Sequence, residues 1–131
     1  MGVRRLLDTH VLLWLLSSPE RVPEPLRTEL VEQAETILVS AASAFEIATK
    51  HRIGKLDASA LLDRWDDELL AAGLAALPIT AQHALAAGRL EWGHRDPFDR
   101  LLAAQALAEG LELVTVDPAF RAVRGLQTRS W

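Results

Sequence analysis

Four short apolar segments, VRRLLDT (residues 3–9), TILVS (36–40), LAALPI (74–79) and LELVTVD (111–117), punctuate the chain at intervals long enough to hold helices. That alternation leaves few folds open. Short strands with little internal polarity are buried on both faces, and strands separated by helix-length segments pair in parallel through crossover connections. The chain is therefore expected to form an α/β fold in which a small parallel sheet is covered by helices on both sides.

The intervals carry the matching helix signals. HVLLWLL (10–16) follows the first strand, and PLRTELVEQAE (25–35) starts with a proline suited to a first turn. SAASAFEIATKHRIG (40–54) ends on Gly54, which suits a helix exit, and SALLDRWDDELLAAG (59–73) is amphipathic. Thr80 is placed to cap AQHALAAGRL (81–90). DPFDRLLAAQALAEG (96–110) has the strongest signature, with Pro97 at its start and Gly110 at its exit. The stretch after Asp117 is weakly signalled.

At 131 residues, with 50% hydrophobic and 24% charged residues, the chain is expected to fold as one domain over residues 1–131. Cysteine is absent, which excludes disulfides and thiolate metal sites. The first apolar run is interrupted by Asp8 and His10 and is too short to span a bilayer, so neither a signal peptide nor an anchor is expected. A cytoplasmic location is compatible with both observations. The net charge of −4 argues against a broad nucleic-acid surface unless the acids are concentrated at one place.

Asp8 is the residue least at home in its surroundings. Within RRLLDTHVLLWLL it breaks a run otherwise built for burial. Stripping water from a carboxylate costs several kcal/mol or more, so a buried one takes hydrogen bonds, a cation or a proton. Ligand sites in parallel α/β folds lie at the carboxyl ends of the strands. Asp8 and Asp117 both close apolar strands there, and Glu46 lies in the opening turns of the helix after the second strand. Asp99 belongs to the first turn of a later helix. Such a set repels itself unless a cation sits within it, and Mg²⁺ or Mn²⁺ are the hard ions that prefer all-oxygen surroundings. Ions of this kind support phosphodiester hydrolysis.

Each acid also has a purely structural role open to it. Asp96 and Asp117 each precede a proline and can serve as helix caps. Glu46 can close a capping box with Ser43, and Asp8 can form a turn at its strand end. Thr9 and Thr115 can orient carboxylates through their hydroxyls. His10 and His94 lack the spacing of a metal pair, and Trp14 and Trp65 fit packing or interface positions. Lys50, Arg52, Lys55, Arg95 and Arg100 are candidates to contact phosphates at the rim, or else solvated charges near helix ends.

Taken in order, LLDTHVLLWLL, VSAASAFEIATKHRIGKL, HRDPFDRLLAAQAL and LELVTVD resemble the PIN-domain nucleases, and among them the VapC-type toxins of bacterial toxin–antitoxin pairs. The resemblance spans nearly the whole chain. It implies a three-layer α/β/α domain, divalent-metal-dependent cleavage of RNA, a small antitoxin partner and toxin homodimers. By motif it carries the metal-binding and catalytic roles to Asp8, Glu46, Asp99 and Asp117, with Asp117 the most variable of the four. Asp96 lies outside that quartet. A phosphatase with an aspartate nucleophile fits less well, because DTH lacks a second Asp two residues on. A receiver-like domain leaves Glu46 without a role and lacks a lysine after the last strand. A catalytically inactive PIN-like interaction module is the remaining alternative.

Overall fold

The computed structural model describes residues 3–32 and 34–131. Five strands form one parallel sheet: β1 (Val3–Leu7), β2 (Ala34–Ser40), β3 (Ala75–Leu77), β4 (Glu112–Val114) and β5 (Thr128–Arg129), in the spatial order β3-β2-β1-β4-β5. β1 is central, with Leu6 in register with Leu38 on one side and Leu113 on the other.

Because side chains alternate along a strand, adjacent residues feed opposite layers. Leu7, Val39 and Val114 face one core, built with Val11 and Leu12 of α1 (Thr9–Ser17), Leu26 and Leu30 of α2 (Glu24–Glu32) and Ile47 of α3 (Ala41–Arg52). Beyond α4 (Ser59–Asp63), α5 (Trp65–Ala71) adds Leu69 to the same core. Leu6, Leu38 and Leu113 face the other core. There α7 (Pro97–Glu109) contributes Leu102, Ala103 and Ala106, and α6 (Ala81–Arg89) packs along it. The result is the three-layer α/β/α arrangement implied by the sequence.

Four local features differ from the sequence expectations. α2 stops at Glu32, because pairing of Val3 with Ala34 and of Arg4 with Thr36 draws the expected last helical residues into β2. The amphipathic segment 59–73 breaks at Arg64 (φ −132°, ψ 36°) into α4 and α5, so that Leu62 and Leu69 reach the same core. β4 pairs over three residues only, with Thr115 and Asp117 beyond it, which frees their side chains for the sheet edge. The weakly signalled tail supplies β5, held to β4 by Leu113 N–H to Gln127 O at 2.9 Å and Thr115 N–H to Arg129 O at 3.0 Å. Gly110 ends α7 in the left-handed conformation (φ 65°), as its position suggested.

Candidate active site

Asp8 directly follows β1 and is 4% exposed. Its side chain makes no cap bond to α1, which removes the turn-forming role open to it in the sequence. The Thr115 hydroxyl donates to Asp8 Oδ2 at 2.7 Å, and that same oxygen of Thr115 accepts the Asp117 N–H at 3.0 Å. Thr115 thus ties the ends of two neighbouring strands together at Asp8. Burial pushes the Asp8 carboxyl above its ordinary range, opposed by the Thr115 hydrogen bond and the nearby His10, and reinforced by the charge of Glu46.

Glu46 is buried on α3 and forms an ion pair with Lys50 one turn on, at 2.8 Å. The cap of that helix is Ser40, whose hydroxyl accepts from Ala42 N–H. The capping box with Ser43 is therefore not formed. Ser43 instead shares a 2.8 Å hydrogen bond with the Thr9 hydroxyl, so Thr9 orients a serine and not a carboxylate. Lys50, one of the basic residues considered for phosphate contact, is engaged with Glu46.

Asp99 stands in the first turn of α7, and its Oδ2 lies 2.7 Å from His94 Nε2. Its carboxyl is pushed up to about 6, first by burial and then by the charges of Asp96 and Asp8, with the His94 hydrogen bond acting in the opposite sense. The coupling shows that Asp8 and Asp99 share one electrostatic neighbourhood despite their separation in sequence. Asp96 caps α7, accepting from Phe98 N–H at 2.9 Å and Asp99 N–H at 3.2 Å. Asp117 turns its carboxylate to Ala119 N–H at 2.9 Å, capping a 3-10 turn over Pro118–Ala122. Its link to Asp8 runs through its backbone and Thr115.

His94 is the contributor that sequence spacing did not bring forward. Its ring stacks on Trp92 (4.6 Å between centroids, 19° between planes) while its Nε2 meets Asp99. The HRDPFD motif held the signal, since His94 lies one helical turn ahead of Asp99 across the cap. Arg100, in the first turns of α7, reaches back to the same loop in a role opposite to that expected of a rim cation. Its guanidinium donates to the carbonyls of Ala87, Leu90, Trp92 and His94 at 2.6–3.0 Å, so it staples the loop and is unavailable to a phosphate. Arg95 remains exposed beside it.

Asp8, Glu46 and Asp99 thus arrive at one edge of the sheet from β1, α3 and α7. Among the described residues, no three histidine, aspartate or glutamate side chains form a ready-made ligand group. Each acid is turned instead to its own protein partner: Thr115, Lys50 or His94. The donor set nevertheless fits a hard divalent ion: it is all carboxylate oxygen, drawn from two buried acids and one half-buried acid, and burial, with a smaller share from neighbouring carboxylates, raises Asp8 and Asp99. No helix in the described residues is long and apolar enough to cross a membrane.

Comparison with known proteins agrees with this architecture. Ribonuclease VapC22 of Mycobacterium tuberculosis is 32% identical over 120 residues, covering 91% of each chain. Among solved structures, DNA-bound VapBC from Salmonella typhimurium superposes with a TM-score of 0.76 at 20% identity, over 100% of this chain and 99% of that one. VapBC2 from Rickettsia felis, bound to a promoter DNA fragment, gives 0.73 at 20% identity over 98% and 99%. At that identity the structural likeness speaks to the fold. The PIN domain family model matches residues 5–126, and with the fold, the strand-end acids and the VapC22 relative in agreement, the chain belongs to the PIN domain family.

Proposed function

We propose that this protein is a divalent-metal-dependent endoribonuclease that acts as the toxin of a toxin–antitoxin pair. The observation that carries the proposal is the gathering of buried Asp8 and Glu46 and half-buried Asp99 at the carboxyl edge of the sheet, with Asp8 feeling the charge of Glu46 and Asp99 that of Asp8. Support comes from the ribonuclease relative and from the VapBC complexes that share the fold. Asp8, Glu46 and Asp99 would hold Mg²⁺, with Mn²⁺ as a substitute, and Asp117 assists by fixing Thr115 against Asp8. Bound there, the ion supplies an acidified water and neutralises charge on the phosphodiester.

The chain's own residues perform the remaining tasks. Thr115 holds one oxygen of Asp8 in place. His94 orients Asp99, and Arg100 fixes the loop that carries His94. Lys50 balances Glu46 in the metal-free state and keeps positive charge at the pocket. Arg95, Arg52 and Lys55, all exposed, are left to position backbone phosphates.

The same proposal takes residues 1–131 as one functional domain acting in the cytoplasm, pairing as a homodimer and inhibited by a small antitoxin. An antitoxin arginine or lysine entering the pocket would replace the charge of the metal. Incubating purified protein with total RNA, with and without a chelator, tests the activity. Metal-dependent cleavage lost in Asp99→Asn and Asp8→Asn supports it. An absence of cleavage under all divalent ions would leave the inactive interaction module as the better account.

A further inference from the structure

One flank of α1 carries a group of rings that the metal chemistry does not use. His10, exposed, stands two residues beyond Asp8. One turn on, Trp14 lies 6.2 Å from the His10 ring, and Trp131 meets Trp14 edge-on at 5.8 Å and 64°. Arg21 lays its guanidinium over the face of Trp14, 4.6 Å from the ring centroid, so the exposed tryptophan of the group is Trp131. Trp131 is 41% exposed and Arg21 is exposed, while Trp14 rests half-buried on the core.

The sheet places this group beside the acids. All strands run parallel, so the residues after β5 emerge at the same carboxyl edge as Asp8. The segment presenting Trp131 is anchored by Arg129, which pairs with Glu29 at 3.2 Å and donates to the Ser130 carbonyl at 2.9 Å. A row of rings therefore starts next to Asp8 and runs outward along the edge. The other flank of α1 differs in chemistry: Leu13 and Leu16 line a groove with Leu56 and Leu61 in which the charged residues are Asp57 and Glu68. Leucines beside two acids do not suit a polyanion, whereas an exposed π-face beside a cation suits a nucleobase and its phosphate.

We propose that Trp131, backed by Trp14 and flanked by Arg21 and His10, stacks an unpaired base of the RNA strand next to the acid pocket. This rests on the nuclease reading and deepens it by assigning the residues that hold the base flanking the cut. Base stacking on aromatic side chains tolerates any base, so the subsite selects for single-strandedness more than for sequence. Its work is positioning, and its loss is expected to weaken binding of the strand with little effect on the chemical step at saturation.

Affinity for a short single-stranded RNA is measured in Ca²⁺, without cleavage, for wild type, Trp131→Ala, Trp131→Phe and Arg21→Ala. A parallel series uses an oligonucleotide with abasic positions flanking the cut. Trp131→Ala and Arg21→Ala should each lose roughly tenfold in affinity for the intact strand. Trp131→Phe should retain most of it, and Trp131→Ala should bind the abasic strand as wild type does. In Mg²⁺, KM should rise for Trp131→Ala with kcat held within about twofold. Full-strength binding by Trp131→Ala and Arg21→Ala, or equal losses on intact and abasic strands, overturns the subsite. Failure of the nuclease reading looks different: wild type then cleaves no RNA in any divalent ion, whatever the binding series gives.

Discussion

Thr115 donates its hydroxyl proton to Asp8 Oδ2 at 2.7 Å across 107 residues of chain. The bond joins the end of β4 to the end of β1 and fixes the carboxylate that the first apolar run cannot accommodate by itself. Since Thr115 also accepts from Asp117 N–H, one hydroxyl sets the position of two strand-end acids.

Removing that hydroxyl while keeping the shape of the side chain isolates the effect. Thr115→Val should keep the fold and lower metal-dependent cleavage roughly tenfold or more, the usual cost of losing a partner that orients a metal ligand. Steady-state cleavage with a check on the melting temperature measures it. Unchanged activity would show that Asp8 needs no such orientation.

Asp99 makes the metal-free protein sensitive to pH with a definite sign. Its carboxyl is held at about 6 in the fold against 3.8 for the free residue. Between those values the folded chain keeps a proton that the unfolded chain has released, so this contribution to stability falls as pH rises through the interval. Above it the full penalty is roughly 1–3 kcal/mol. Asp99→Asn removes the penalty and retains an acceptor for His94. In chelator, the variant should melt higher than wild type near neutral pH and show no gain near pH 4. Equal melting temperatures at neutral pH count against the strained carboxylate.

Arg100 and Arg95 are neighbours on the sequence motif with opposite expected behaviour. Arg100→Ala strips hydrogen bonds from three loop carbonyls and from that of Ala87 at the end of α6, and should cost roughly 2–3 kcal/mol of stability. Arg95→Ala should leave stability within about 0.5 kcal/mol and weaken RNA binding, with the salt dependence reduced by about one phosphate contact. Chemical denaturation and salt titration of RNA affinity separate the two.

Metal binding should raise the melting temperature, because the unfolded chain cannot present the same acids together. Mg²⁺ or Mn²⁺ should do so where Na⁺ at matched ionic strength does not. If Glu46 holds the ion as proposed, Lys50 and the ion would compete to neutralise it, so Lys50→Met should lower metal-free stability and enlarge the shift produced by metal. Thermal melts across a metal titration, run on both proteins, give the comparison. A metal-induced shift no larger in Lys50→Met than in wild type would remove Glu46 from the ion's surroundings.

By itself the sequence determined the layers. Local periodicity sets which residues lie on which face, so Leu6 and Leu7 were bound to feed opposite cores, and Pro97 and Gly110 were bound to bracket a helix. It also singled out Asp8, since a carboxylate in an apolar run is costly wherever the run folds, and set beside it Glu46, Asp99 and Asp117 as acids at helix starts and strand ends. Tertiary structure alone decided what each acid touches. Glu46 had two partners within reach along the chain, Ser43 and Lys50, and the choice fell to Lys50 once Ser43 met Thr9 across α1 and α3. Arg100 read as a surface cation until the loop from Leu90 to His94 folded over it, leaving carbonyls with no strand or helix to satisfy them. β5 was invisible for a related reason: two residues carry no periodicity, and they become a strand only because β4 offers an open edge. Hydrogen-bond partners distant in sequence are selected by packing, and packing is a property of the whole chain.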